Sequence, residues 1–160
     1  MGSRGYDLFW GSLLRATTRS HTLLHRASGG RLGRRFVNGQ QVVWVTTVGR
    51  RSGQVRTVPL LAVREDGKAD GAWLVTGSNA GQAAIPAWVH NMRATPTGFV
   101  DVDGHRGPAR FEEVGEPDRT RLYAQLAQSW GAYAMYARHA GREIPVFRVI
   151  PCSADLTEGS

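Results

Sequence analysis

The spacing of the β-forming segments is the feature that most constrains the fold of this chain. Residues 41–48 and 55–63 are rich in β-branched and aromatic side chains, which favours two strands. Only the six residues from Gly49 to Gln54 separate them, whereas a parallel pair would need a crossover of a dozen or more residues. The spacing therefore predicts a hairpin. Because Pro59 has no amide hydrogen, the second strand should have a bulge or a free edge there.

The later strand segments show the same short spacing. Residues 72–76 predict a third strand, and residues 145–149 predict a last one. Residues 98–102 and 108–114 predict a hairpin around the dipeptide Asp103-Gly104. The tally is six strands joined mainly by hairpin connections.

Helical segments flank the predicted strands. Pro86 suits the first position of a short helix that runs to about Arg93. Residues 116–130 predict another helix with apolar side chains at spacings of four, and residues 133–139 continue it. With strands at hairpin spacing, these helices predict an α+β fold: an antiparallel barrel of about six strands with helices packed outside.

The positive charge of the chain lies in its first third. The net charge is +7, but residues 1–51 hold nine arginines against the single acid Asp7, which leaves about −1 for residues 52–160. This balance predicts an acidic partner for the first third: a phosphorylated ligand, an anionic membrane surface or a nucleic acid. No nucleic-acid recognition motif accompanies the arginines, so nucleic acid is the least favoured partner.

An amphipathic helix is predicted at the amino terminus. Aromatic and leucine side chains recur at helical spacing over residues 6–17, and the helical segment as a whole covers residues 1–28. Such a segment suits an anionic membrane interface, and its apolar face suits packing over the barrel or a second subunit equally well. The oligomeric state stays open.

Several common kinds of site lack their sequence marks. The chain has no glycine-rich dinucleotide fingerprint, no P-loop and no nucleophile elbow, which argues against the enzyme classes that depend on them. The single cysteine, Cys152, excludes an intrachain disulfide framework and a cysteine-rich metal site. His21 and His25 have no third ligand nearby, so no metal site is expected. Without a signal peptide pattern or a long apolar run, the cytoplasm is the expected compartment.

The turn after the first predicted strand concentrates groups that bind anions. Arg50, Arg51 and Arg56 supply guanidinium groups, while Ser52 adds a hydroxyl and Gly53 frees the backbone amides. This composition is typical of an anion cradle. An ordinary hairpin turn decorated with arginines fits the same residues equally well.

Four ordered motifs together resemble a known family. They are GGRLGRR at residues 29–35, VWVTTVGRRSGQVRTVPL at 43–60, IPAWVHNMRA at 85–94, and YAMY at 133–136 followed by REIPV at 142–146. In order and spacing they resemble the deazaflavin-dependent nitroreductase family, the class A flavin/deazaflavin oxidoreductases. Its members bind coenzyme F-420, an 8-hydroxy-5-deazaflavin. The resemblance implies a split β-barrel related to flavin mononucleotide-binding proteins, formed here by residues 29–151 and followed by a tail at 152–160.

The resemblance also implies which residues bind the cofactor. The arginine-rich turn and Arg56 would meet the phosphate and the polyglutamyl tail, residues 57–59 would lie along the ring, and the turn at 77–79 would meet the pyrimidine edge. Ala84 and Ile85 stand where relatives often carry a basic or polar residue. The implied set is Arg50, Arg51, Ser52, Gly53, Arg56, Thr57, Val58, Pro59, Gly77, Ser78, Asn79, Ala84, Ile85, Trp88 and Asn91.

The substrate side of the resemblance consists of aromatic residues. Trp130, Tyr133 and Tyr136 match the aromatic cluster that walls the cavity over the ring, which implies substrate contacts for all three. Tyr133 or Tyr136 is the implied catalytic residue, as a proton donor or as a hydrogen-bond donor to a developing oxyanion. The same three side chains also fit an aromatic stripe that fills a core, and Trp88 fits core packing as well.

The function expected from the resemblance is an oxidoreductase. A deazaflavin lacks the ring nitrogen that stabilises flavin radicals, so hydride transfer is the expected chemistry. The acceptor would be a small molecule: a quinone, an activated alkene or a nitroaromatic. The alternative is a protein that binds or sequesters F-420 or a flavin without catalysis. Flavin mononucleotide is the less favoured cofactor.

Overall fold

A computed structural model describes residues 39–67 and 71–152 of the 160-residue chain. The predictions for the amino-terminal helical segment (1–28), for the motif at 29–35 and for nearly all of the tail lie outside these residues. Within them, seven strands form one sheet: β1 (Val42–Val48), β2 (Val55–Leu61), β3 (Val63–Arg64), β4 (Trp73–Thr76), β5 (Thr97–Val102), β6 (His105–Glu113) and β7 (Val146–Pro151).

The sheet is antiparallel throughout, as the short spacings predicted. Its strand order is β2-β1-β5-β6-β7-β4-β3. The prediction of six strands was wrong by one, because the second predicted run ends before Ala62. The next two residues, Val63 and Arg64, form a separate strand that pairs with β4. Among the described strands, β2 lies at one edge of the sheet with β1 as its partner, and Pro59 lies opposite Trp44. Within residues 39–67 and 71–152 the prediction of a free edge at Pro59 is therefore confirmed.

Three helices flank the sheet: α1 (Ala87–Ala94), α2 (Asp118–Ser129) and α3 (Ala132–Ala140). Pro86 precedes α1 with ψ of 146°, so it caps the helix rather than filling its first position. α3 does not continue α2, because Trp130 takes extended backbone angles between them. No helix in the described ranges is both long and apolar enough to cross a bilayer.

The sheet curls around one apolar core and carries a second on its outer side. β4 shows why: Trp73 and Val75 face the inner core, Leu74 faces the outer one, and all three are buried. α1 fills the inside of the curl with Trp88, Val89 and Met92. α2 and α3 cover the outside with Leu122, Leu126 and Tyr133. This curled sheet with three helices confirms the predicted α+β fold.

A buried ion pair ties the strands on the outer side together. The guanidinium of Arg148 in β7 donates to both carboxylate oxygens of Glu65, at 2.6 and 2.9 Å, and to Glu112 of β6 at 2.8 Å. The Glu65 side chain is only 1% exposed. These hydrogen bonds raise the pKa of Arg148, so the guanidinium is charged at every relevant pH.

Candidate cofactor site

The arginine turn (residues 49–54) is a tight loop with its cations on the surface. Gly49 N–H donates to the Gln54 carbonyl at 2.8 Å, and Gly53 N–H donates back to the Gly49 carbonyl at 2.8 Å. Gly53 has φ of +65°, a conformation that favours glycine. The side chains of Arg50 and Arg51 are exposed on this turn, where a ligand can reach them.

Asn91 fixes the arginine turn to helix α1. Its side-chain oxygen accepts a hydrogen bond from Arg50 N–H at 3.1 Å, and its amide nitrogen donates to Thr47 Oγ1 at 3.3 Å. The residue is only 4% exposed. Its partners lie more than 40 positions away in the sequence, so this contact could not be anticipated from the motif alone.

The electrostatic environment of the turn is positive. Partial burial lowers the pKa of His90 on α1, and the charges of Arg50, Arg93 and Arg51 lower it further, which favours the neutral imidazole. Arg93 is paired with Glu113 through hydrogen bonds of 2.8 and 2.6 Å. Among residues 39–67 and 71–152, no carboxylate pairs with Arg50 or Arg51. These two cations are therefore available for an anionic ligand.

A strained segment, the 77–84 loop, forms the other end of the site. Asn79, Ala80 and Gly81 take positive φ angles of 48°, 52° and 76° in succession. Non-glycine residues adopt this region rarely, and such backbone persists where the surroundings hold it in place. A Cβ built on Gly81 would lie 3.1 Å from Tyr136 Cα, so α3 packs directly against the loop.

Arg142 is a residue of this site that sequence reasoning missed. Its guanidinium donates to the carbonyls of Ala83 at 2.9 Å, Gly77 at 3.0 Å and Ala84 at 3.2 Å. Arg142 stood in a matched motif, but a contact 58 to 65 residues back along the chain leaves no sequence signal.

Helix α1 joins the two ends of the site. Asn91 holds the arginine turn, and Val89, two residues earlier in the same helix, lies so close to Gly77 that a Cβ on the glycine would come within 2.7 Å of Val89 Cγ2. Trp88 is 8% exposed and packs edge-on against Phe147 with ring centroids 5.9 Å apart. The core-packing interpretation of Trp88 therefore describes its contacts in this structure.

The residues that the motifs place along the ring differ in exposure. Val58 and Ile85 are half-buried and pack against the inner core, and Pro59 is half-buried beside Val58. Thr57 is exposed and shares a hydrogen bond of 2.9 Å with Thr46. Ala84 is exposed in the loop itself.

The donor set of the site fits a deazaflavin with an anionic tail. Two buried polar atoms have no hydrogen-bond partner in the described part of the chain: Thr76 Oγ1 just before the 77–84 loop and Gln82 Nε2 within it. Unpartnered polar atoms of this kind suit the polar edge of a ring. The unpaired cations Arg50 and Arg51 suit phosphate and carboxylates at the opposite end.

The aromatic cluster divides between core and site. Tyr133 is 5% exposed and belongs to the outer core, and Tyr123, which sequence reasoning did not single out, donates to its carbonyl at 2.8 Å. Burial raises the pKa of Tyr133 and raises that of Tyr123 to about 12. Tyr136 is half-buried, with its ring 5.9 Å from Tyr133 and its backbone against the 77–84 loop. Trp130 packs on the same cluster.

Comparison with known proteins gives these observations a family. The family model described as F420H(2)-dependent quinone reductase matches residues 17–151. The F420H(2)-dependent quinone reductase Rv1261c of Mycobacterium tuberculosis (strain ATCC 25618 / H37Rv) is 32% identical over 136 residues, which covers 80% of this chain and 85% of the relative.

Solved structures agree with the fold. The structure of an F420-H2 dependent reductase (FDR-A) is similar at a TM-score of 0.59 and 31% identity, covering 68% of this chain and 92% of that one. A domain-swapped dimer gives a TM-score of 0.60 at 28% identity, covering 80% and 98%. The curled sheet is thus the split β-barrel that the motifs implied. By its sequence, its fold and its matched length, the chain belongs to the F420H(2)-dependent quinone reductase family.

Proposed function

We propose that this protein catalyses hydride transfer from reduced F-420 to a quinone. The observation that carries the proposal is the joining of two complementary surfaces by α1, in a chain of a family named for this reaction. One surface holds the unpaired cations Arg50 and Arg51, and the other is the 77–84 loop with unpartnered polar atoms beside it. F-420 carries its anionic tail and its polar ring edge at opposite ends, as this arrangement requires.

The residues of the chain bind and orient; the cofactor supplies the reactive hydride. Arg50, Arg51, Ser52, Gly53 and Arg56 hold the phosphate and the tail through charge-assisted hydrogen bonds and backbone amides. Each such bond to a charged group contributes about 1.5–3 kcal/mol. Orientation of this kind lowers the barrier because two reactants are held in one geometry.

The ring end is held by apolar contact and by the 77–84 loop. Thr57, Val58 and Pro59 lie along the ring, and Gly77, Ser78 and Asn79 meet its polar edge. The apolar side of the site is closed by Ala84 and Ile85 at the end of the loop and by Trp88 on α1. These assignments rest on the family motifs and on the way α1 brings the segments together.

Tyr136 assists the acceptor. A quinone becomes a hydroquinone when it gains one hydride and one proton, and negative charge develops on its oxygen as the hydride arrives. The half-buried Tyr136 hydroxyl donates a hydrogen bond to that oxygen, while Tyr133 and Trp130 form the wall behind it. Because burial raises the pKa of Tyr133, its hydroxyl stays protonated in that wall.

The test is anaerobic oxidation of reduced F-420 by a panel of quinones, enones and nitroaromatics, followed by the absorbance of the oxidised cofactor. We expect turnover with quinones that depends on reduced F-420 and fails with reduced flavin mononucleotide. Tight F-420 binding without turnover of any acceptor would favour the sequestering alternative. An absence of F-420 binding would remove the proposal altogether.

Contact with a membrane is the finer part of the proposal. Residues 1–28 combine an apolar stripe with arginines, and lipid-soluble quinones lie in the bilayer. Each arginine near an anionic surface contributes about 1 kcal/mol at moderate salt. Co-sedimentation with anionic vesicles should be salt-sensitive and should disappear when residues 1–28 are deleted; equal sedimentation of the deleted protein contradicts it.

A further inference from the structure

All three nitrogens of the Arg142 guanidinium donate hydrogen bonds to backbone carbonyls. Nε donates to the Ala83 carbonyl at 2.9 Å, and Nη2 lies 3.0 Å from the Gly77 carbonyl, 3.2 Å from that of Ala84 and 3.5 Å from that of Ser78. Nη1 donates to the carbonyl of the neighbouring Glu143 at 3.1 Å. No carboxylate pairs with it in the part of the chain that the structure describes. Such an arrangement is unusual, since a partly buried guanidinium normally meets an acid.

The bonds from Arg142 close the loop on itself. Gly77 and Ser78 stand at its start, and Ala83 and Ala84 at its end, so one planar cation holds both ends at once. Between them Asn79 and Ala80 take positive φ angles. Residues other than glycine keep such angles only where neighbouring contacts over-determine the backbone. Arg142 supplies such contacts from outside the loop, and the Asn79 side chain adds one from within by donating to the Ala84 carbonyl at 3.0 Å.

The same bonds orient the peptide planes at the start of the loop. Because the carbonyls of Gly77 and Ser78 turn toward Arg142, the following peptide groups turn their N–H away from it. The N–H groups of Ser78 and Asn79 have no acceptor within the described residues. They are therefore free to donate to the carbonyls of a ligand ring.

We propose that Arg142 is a positioning residue that holds the 77–84 loop in the conformation that meets the ring end of the cofactor. The inference rests on the proposed placement of the F-420 ring at this loop. Arg142 itself touches neither cofactor nor acceptor. It acts through the loop backbone. Lysine cannot replace it, because an ammonium group has a single nitrogen whereas the planar guanidinium donates from several nitrogens at once.

The experiment separates the ring end from the tail end with two ligands. One is F-420; the other is 8-hydroxy-5-deazariboflavin, which has the ring and the ribityl chain but neither phosphate nor glutamates. Binding is measured by deazaflavin fluorescence for the wild type, Arg142→Lys, Arg142→Ala and the control Arg138→Ala, an exposed arginine of α3. We expect both Arg142 variants to bind both ligands at least tenfold more weakly and Arg138→Ala to bind as the wild type does.

A measurement without ligand distinguishes a local change in the loop from a general loss of stability in the variant. Hydrogen–deuterium exchange of the folded Arg142→Lys protein should become faster at the amides of the 77–84 loop and stay unchanged in β1 and β6. Millimolar guanidinium ion should restore part of the lost affinity of Arg142→Ala. Unchanged exchange in the loop, or affinity of Arg142→Lys for the deazariboflavin within twofold of the wild type, overturns the proposal.

Failure of this inference is distinguishable from failure of the proposed function. If the wild type reduces no quinone, the proposed function fails while the exchange experiment still reports on Arg142. If the wild type is active and the Arg142 variants keep their affinity and exchange pattern, only the positioning role fails.

Discussion

Arg50 and Arg51 are exposed cations on a turn that backbone hydrogen bonds between Gly49, Gly53 and Gln54 hold closed. Replacing both with alanine should leave the melting temperature within about 2 °C, because surface positions contribute little to stability. F-420 affinity should fall at least tenfold, because charge-assisted bonds are lost. Affinity for the tail-less 8-hydroxy-5-deazariboflavin should stay unchanged. The double variant Arg110→Ala with Arg138→Ala removes the same charge elsewhere, and equal losses from both pairs would contradict the assignment.

Tyr133 and Tyr136 differ in exposure although they lie on one helix. Tyr136→Phe should lower turnover with quinones about tenfold or more, with little change in F-420 affinity, because the hydroxyl assists the acceptor and not the cofactor. Tyr133→Phe should have the smaller effect, since its ring lies in the outer core. Steady-state kinetics with reduced F-420 measures both. Wild-type turnover in the two variants would leave the tyrosines as packing groups and solvent as the proton source.

At the residue scale, sequence reasoning found contiguous features and missed distant ones. The arginine turn was predictable because its cations, hydroxyl and glycines stand side by side in the sequence. The contact of Asn91 with Arg50 and those of Arg142 with the 77–84 loop join segments tens of residues apart. Nothing in a single sequence marks such pairs, because each partner looks like an ordinary polar residue.

Among the elements, β5 and β1 approach each other closely at Gly98. A Cβ built there would clash with the carbonyl of Thr46 and would lie 2.9 Å from the Phe111 ring. Gly98→Ala should therefore destabilise the protein by about 1–3 kcal/mol through overpacking. Gly107→Ala on neighbouring β6 meets nothing within 4 Å and serves as the control. Urea unfolding of the two variants decides, and equal stabilities would show that β1 and β5 can separate.

The Tyr123 hydroxyl of α2 donates a hydrogen bond to the backbone of α3. Burial raises its pKa from 10.0 to about 12, so the folded state favours the neutral phenol. The resulting stability is fully present below about pH 10 and is lost as the pH rises toward 12. Tyr123→Phe should cost about 1 kcal/mol at pH 7 through the lost hydrogen bond to Tyr133. It should also weaken the decline of stability between pH 10 and 12, and an unchanged decline would contradict this origin.

The order of elements was predictable where alternation or helical spacing extends over several residues. β1, β2 and the hairpin of β5 and β6 follow from such runs, and their turns follow from glycine and aspartate. β3 was not predicted as a separate strand, because two residues are too few to show a periodicity. Its first residue, Val63, was assigned to the run before it. The break between α2 and α3 escaped because Trp130 suits a helix as well as the extended angles that it takes here.

On the scale of the whole molecule, Arg148 links β7, β6 and the residue after β3. Arg148→Met should destabilise the protein by about 3–5 kcal/mol, because it leaves the Glu65 carboxylate buried and unpaired. Combining it with Glu65→Leu should recover most of the loss. Arg93→Met is the matched control, since its ion pair with Glu113 is over a third exposed and contributes about 0–1 kcal/mol. Urea unfolding at pH 7 measures all of them, and a single variant within 1 kcal/mol of the wild type would contradict the prediction.

Helix α1 also fixes the spacing between the two ends of the site. Val89, which packs against Gly77, and Asn91, which holds the arginine turn, are two residues apart, a rise of about 3 Å along the helix. The spacing between the arginine turn and the 77–84 loop is thus set by the protein before any ligand arrives. Flavin mononucleotide has the same ribityl chain between ring and phosphate as F-420, so this spacing suits both cofactors. Discrimination between them must therefore come from the two ends: the glutamates beyond the phosphate, and the edge of the ring that the loop touches.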